Sequence, residues 1–316
     1  MQPILTVISA VLPVFCLAGT GVILRQVRWL TAEADASLMR VVVNVLTPAL
    51  IFHVVLGNAA LRRPENLFLA PLLGYLGVAA GVGVAWLLRR RSGLTDERSQ
   101  RTFAAQTGIQ NYGYVPLPLV LTLFPGDSAG VLFVHNLGVD TAMWTVCLVA
   151  LGHGSWHEWH RLLNPPIVAI VIAVGLNVAN AEHWMPKFLL TTAEMLGACA
   201  FPLGIILIGA TIADSAAELR QDFDWPTVAW ASLVRLGILP ALILGLAWIL
   251  PVSRELKQVL MVQAAMPAAV FPIVLARHFG GHPLTAVRIV VGTSLLGFLT
   301  IPIWLKLGLW VIGSGS

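Results

Sequence analysis

Charge is scarce in this chain. Asp, Glu, Lys and Arg make up 11% of its 316 residues, where a soluble domain carries about a quarter. Cysteine is scarcer still. Cys16, Cys147 and Cys199 fall inside apolar stretches without metal-ligand spacing, which argues against a disulfide scaffold or a zinc site. No phosphate-binding P-loop, nucleophile elbow, HExxH or dinucleotide fingerprint occurs, so ATP-driven pumping in cis and the common soluble chemistries are excluded. The chain therefore reads as a non-enzyme with no cofactor and no metal. Its net charge of +4 and pI of 9.3 do not point to nucleic acid, because the basic residues are scattered in short connections without interleaved aromatics.

What is abundant is apolar surface: 58% of residues are hydrophobic and the mean hydropathy is +0.84. A bilayer core about 30 Å thick needs about 20 apolar residues per helix, and such runs recur along the chain. Spans are expected near 4–24, 35–56, 67–88, 102–124, 128–152, 165–180, 190–213, 226–250, 256–279 and 285–312. The first run, from Ile4 to Leu24, has no preceding Lys or Arg and is long enough to span, so it is expected to be a retained helix and not a signal peptide. With ten spans, one side collects twelve Lys and Arg, among them Arg25, Arg89, Arg90, Arg91 and Arg101, and the other side six. The richer side is expected in the cytoplasm of a plasma membrane, a bacterial inner membrane, which puts both termini outside.

An offset of 154 residues carries Pro48 of the second span onto Pro202 of the seventh, and Pro118 of the fourth onto Pro272 of the ninth. The expected fold is thus an all-α polytopic membrane protein of ten transmembrane helices in two five-helix repeats, 1–152 and 165–316, joined by a cytoplasmic linker at 153–164. An odd number of spans per repeat inverts the second relative to the first.

The fourth span holds Gly108-Ile-Gln-Asn-Tyr-Gly-Tyr-Val-Pro-Leu-Pro118, with three polar side chains, two glycines and two prolines at mid-membrane. Proline deletes a backbone donor and lipid cannot satisfy the carbonyls it frees, so this backbone must face protein or a cavity. The ninth span repeats the pattern with Gln263, Met266, Pro267 and Pro272. Both helices are expected to be broken and to cross, with Pro116, Pro118 and Pro272 at the crossing. Asn44, Thr47 and Pro48 polarise the second span beside it. Gly77 and Gly81 of the third form a small-xxx-small packing motif.

Ionisable residues inside spans are costly and demand a partner, water or the bundle interior. Asp140, with Asn136 one turn earlier on the same helix face, is the leading coupling candidate, and Arg235 in the eighth span is another. Glu194 lies close enough to its span end to reach the interface. His153, His157 and His160 share a helical face but alternate with Trp156 and Trp159, which suits an interfacial belt better than a metal site.

Asn44-Val-Leu-Thr-Pro-Ala-Leu-Ile-Phe52 and Gln106 through Pro118, followed in the second half by Leu196 through Gly204 and Gln263-Ala-Ala-Met-Pro-Ala-Ala-Val-Phe-Pro272, resemble the auxin efflux carrier family over nearly the whole chain. The resemblance implies scaffold helices 1, 2, 6 and 7, and a mobile transport domain of helices 3–5 and 8–10 that moves as an elevator. It implies substrate binding at the crossing by Asn111, Tyr112, Gly113, Met266 and Pro267. Asn44 and Gln263 join these from the residue reading. The short linker favours the branch that resembles malonate and malate permeases.

The cargo expected is a small organic anion: half-helix dipoles attract it, and no acid stands between Gln106 and Leu123 or between Leu256 and Leu275. Lipid and a second copy docked through the scaffold helices are the other partners. Two further readings stand: a sodium-coupled carrier resembling the bile acid symporters, which share the fold, and a membrane sensor without turnover.

Overall fold

The structure, a computed structural model, describes residues 4–153, 163–219 and 224–313. Most of the expected linker and the His157 and His160 pair lie outside the described residues. Twelve helices are named here: α1 (Ile4–Gln26), α2 (Ala32–Val55), α3 (Pro64–Leu88), α4 (Glu97–Gly108), α5 (Pro116–Leu123), α6 (Ser128–Leu151), α7 (Pro165–Val178), α8 (Lys187–Leu219), α9 (Trp225–Ile249), α10 (Arg254–Ala265), α11 (Pro272–His278) and α12 (Pro283–Gly313). Seven of them, α1, α2, α3, α6, α8, α9 and α12, are long and apolar enough to cross a membrane. The apolar α7 is shorter, and α4/α5 and α10/α11 are two interrupted pairs.

Local chemistry sets where the helices begin. Asp96 accepts the Ser99 N–H at 2.7 Å, Asn164 that of Ile167 at 3.1 Å and Ser253 Oγ that of Leu256 at 3.2 Å, each satisfying a donor that the first turn leaves unpaired. The Ser99 N–H holds the Asp96 carboxyl below its ordinary range. Pro64, Pro116, Pro165 and Pro272 each stand in a first turn, where a missing N–H costs nothing. Pro116 and Pro272 thus open new half-helices instead of kinking continuous ones. The breaks precede them.

Three helices contain a π turn: Val42–Leu46 in α2, Met143–Cys147 in α6 and Val234–Ile238 in α9. Nothing in the composition announces these. In α9 the Trp304 indole N–H donates to the Leu236 carbonyl at 2.6 Å, satisfying an acceptor within the π turn.

Glycines set the closest seams. A Cβ on Gly138 would overlap the Pro71 carbonyl, one on Gly74 the His135 carbonyl, and one on Gly81 the Gly108 carbonyl, so α3 lies backbone to backbone against α6 and α4. Gly77 faces open space. The tight stripe on α3 is therefore Gly74 and Gly81, seven residues apart, and not the Gly77–Gly81 pair expected. Gly21 and Gly209 do the same for α1 and α8, against the carbonyls of Ile206 and Ala18. Packing gathers α1, α2, α7 and α8 into one group and α3–α6 with α9–α12 into another.

A set of polar ties between elements lies at each end of the bundle. At one, Arg25 bridges Asp35 and reaches Asp214 at 3.1 Å, Thr227 Oγ1 donates to the Ser92 carbonyl at 3.1 Å, and Arg288 lies 3.8 Å from Asp224. At the other, Asn58 Nδ2 donates to the Asp127 carbonyl and Asn177 Nδ2 to the Asn58 carbonyl, both at 2.9 Å, and Ser253 Oγ donates to Asn66 Oδ1 at 2.6 Å. Each tie joins residues that a chain crossing back and forth would place at the same end.

Candidate functional site

The two breaks meet. From Gly108 the chain leaves α4 in extended form, and from Ala265 it leaves α10 likewise, each end exposing carbonyls that no following helical turn can satisfy. They satisfy one another. The Asn111 N–H donates to the Pro267 carbonyl at 2.7 Å and the Ala269 N–H to the Ile109 carbonyl at 3.1 Å, an antiparallel bridge centred on Gln110 and Ala268. Gln106 Nε2 adds a bond to the Ala269 carbonyl at 2.6 Å, and Thr293 Oγ1 of α12 accepts the Ala268 N–H at 3.2 Å. Sequence reading missed Gln106 and Thr293 as contributors.

A second layer of side chains converges on Tyr112. Its carbonyl accepts Asn136 Nδ2 at 2.8 Å and Gln263 Nε2 at 3.2 Å, while Gln263 Nε2 also donates to Asn136 Oδ1 at 3.0 Å. Its hydroxyl donates to Asp140 Oδ1 at 2.6 Å. Asn136 and Asp140, one turn apart on α6, therefore hold opposite ends of one residue. Asp140 is engaged by a phenol and forms no ion pair among the described residues. Next along the chain, Tyr114 interacts with Thr47 of α2 and its ring lies against Gly204 of α8, so the crossing touches the other helix group there.

The remaining predicted residues divide. Asn111 is buried, 9% exposed, and its side chain has no hydrogen bond among the described residues, and a Cβ on Gly113 would meet open space. Met266 is fully buried, and Pro267 contributes its carbonyl. Pro118 sits in the first turn of α5 behind Pro116. Asn44 is not brought to the crossing by any hydrogen bond among the described residues: it is exposed on the π turn of α2, and Thr47 supplies that helix's contact. Glu194 is exposed and borders a cavity of about 240 Å³ with His53 and Glu182, at the end of the bundle away from Arg25.

Arg235 lies inside the bundle. It is 0% exposed, on the π turn of α9, and its Nη1 donates to the Gly108 carbonyl at 3.4 Å. It therefore braces the C-terminal end of α4.

The half-helix starts are poorer in donors than the sequence suggests. In α5, Pro116 and Pro118 leave only Val115 and Leu117 with N–H groups among the cap and first three positions. In α11, Pro272 has none, and the N–H groups of Ile273 and Val274 are used in tight turns onto Val270 at 3.1 Å and Phe271 at 2.9 Å. Among the described residues no group of three His, Cys, Asp or Glu is placed to hold a metal ion.

The profile of the family described as membrane transport protein matches the chain twice, over residues 6–155 and 154–305, once for each half. An uncharacterised transporter of Methanothermobacter thermautotrophicus is 28% identical over 304 residues, covering 94% of this chain and 96% of its own length. An uncharacterised transporter of Methanocaldococcus jannaschii is 22% identical over 288 residues, covering 87% of this chain and 90% of its own.

Proposed function

Since the chain belongs to the membrane transport protein family, that of the auxin efflux carriers, we infer that it is a secondary active carrier of small organic anions, mono- or dicarboxylates, bound where its two broken helices meet. The observation that carries this reading is the bridged crossing itself. Its backbone is closed by Asn111, Pro267, Ile109 and Ala269, and the free Asn111 amide and the space at Gly113 stand beside it. Polar backbone at membrane depth is tolerated where it lines such a site.

On this reading the interrupted pairs each count as one span, giving ten helices in two inverted repeats. The group α1, α2, α7 and α8 is the scaffold, and a second copy docks through it. The other group carries the crossing and moves across the membrane. Asn111, Tyr112, Gly113, Gln263, Met266 and Pro267 form the binding site, with Asn136, Asp140 and Arg235 coupling it to its driving gradient. The protein resides in the plasma membrane with both termini outside.

Uptake by purified protein in liposomes tests the function. Labelled malonate, malate and an indole acid should accumulate under an imposed gradient and compete with one another, and Asn111→Ala should weaken binding about tenfold, the value of one hydrogen bond to a charged group. Binding of amines or uncharged solutes alone would overturn the anion reading. A protein that binds carboxylates but never moves them would instead support a sensor.

Topology has its own test, in a variant lacking Cys16, Cys147 and Cys199. Arg91→Cys, exposed between α3 and α4, should label only after permeabilisation, and Trp184→Cys, 63% exposed between α7 and α8, from outside in intact cells. The reverse pattern would invert the assignment. Ser99 is unsuited as a label site because it is buried.

A further inference from the structure

With so few donors at the half-helix starts, the attraction for an anion has to come from elsewhere. Arg235 is a guanidinium that does not deprotonate. It is fully buried, Nε and Nη2 have no hydrogen-bond partner, and no carboxylate pairs with it among the described residues. An uncompensated charge of this kind at membrane depth is costly and marks function. Asp140 is the complementary case, an acid bonded to a phenol and to no cation.

The two are attached to the two ends of one run. Arg235 holds the carbonyl of Gly108 and Asp140 holds the hydroxyl of Tyr112, four residues on, at most about 14 Å of extended chain. At that range in a poorly polarisable interior they offset one another's field without forming a pair. The other titratable groups around Asp140 are Tyr112 at the end of the run, Tyr114 two residues beyond it, Tyr75 on α3, and His135 and Cys147 on α6. Both charges belong to the helix group that carries the crossing, so they travel with the cargo if that group moves. A moving body with net charge works against both desolvation and the membrane potential.

At the crossing, the empty body holds one positive charge, Arg235, and one negative charge, Asp140. A bound monoanion leaves it with an excess negative charge unless something neutralises it. We propose that each carboxylate monoanion bound at the crossing brings one proton from water onto the Asp140 carboxylate, with Arg235 as the fixed positive charge, so that the crossing carries no net charge whether the moving body is empty or loaded. One O–H bond forms on Asp140, its hydrogen bond with Tyr112 rearranges, and no other group changes charge. The inference rests on the anion reading above.

The test uses purified full-length protein and indoleacetate, a monoanion across roughly pH 6–8. Calorimetry in two buffers of different ionisation heat should count about one proton taken up per anion, and where Asp140 starts out ionised, affinity should fall about tenfold per pH unit. In proteoliposomes, uptake should follow the pH gradient and change less than twofold with imposed potential. Asp140→Asn should bind with an affinity that no longer varies with pH. Arg235→Gln should weaken binding at least tenfold, partly restored in Arg235→Lys; if Arg235→Gln does not fold, the wild-type proton count decides. Binding without proton uptake, or uptake accelerated by an inside-positive potential, overturns the proposal and leaves the anion reading standing. If indoleacetate, malonate and malate all fail to bind at every pH, the anion reading falls and this inference with it.

Discussion

Asn136→Leu is expected to abolish transport, lowering uptake about 100-fold, and to destabilise the protein by about 2–4 kcal/mol. The side chain donates to the Tyr112 carbonyl and accepts from Gln263, so leucine takes one partner from a half-buried carbonyl and one from a buried amide. An orphaned buried group costs about 1–3 kcal/mol, and here two groups each lose one partner while keeping their bond to each other. The transport loss exceeds what stability alone explains because Asn136 positions the residue whose hydroxyl engages Asp140. Thermal unfolding in detergent and uptake in liposomes separate the two effects. A lowered Tm with normal uptake per folded molecule would reduce Asn136 to a packing residue.

Gly138→Val is expected to be the most damaging small substitution in the α3–α6 seam, costing about 3 kcal/mol or more. Its added carbon would overlap the Pro71 carbonyl and come within 2.8 Å of the Tyr75 nitrogen, both main-chain atoms that cannot swing aside as a side chain does. The control is Gly77→Val, whose new carbon meets open space and should change stability by only about 0.5 kcal/mol. Unfolding midpoints of the two purified variants check this. Equal midpoints would mean that α3 shifts to accommodate the clash, against close packing as the basis of the seam.

Hydropathy and proline placement located the crossing, because an apolar run interrupted by Gly108, Asn111 and Pro116 has few other structures open to it in lipid. The broken α4/α5 and α10/α11 pairs lie within the stretches where the sequence predicts interruption. Rotation about a helix axis was far less legible. Asn44 and Thr47 look equivalent in a polar stretch of α2, yet the π turn exposes the first and leaves the second beside Tyr114. Such a turn inserts one residue without any compositional mark. Arg235 shows the same limit: its depth was readable, but its direction, toward the Gly108 carbonyl, depends on the π turn of α9. Gln106 escaped notice for another reason. Its amide bonds a backbone carbonyl 163 residues away, and only the pairing of the two breaks makes that contact exist.

The reciprocal bonds between Asn111 and Pro267 and between Ala269 and Ile109 bear on how the carrier resets. In a site whose peptide groups waited for a ligand, departure of that ligand would strand bare polar backbone in hydrocarbon, and the unloaded protein could return only by picking up another solute. Here the peptide groups are already spoken for. A carrier of the proposed kind is then free to reorient unladen, and it would sustain net accumulation as well as one-for-one exchange.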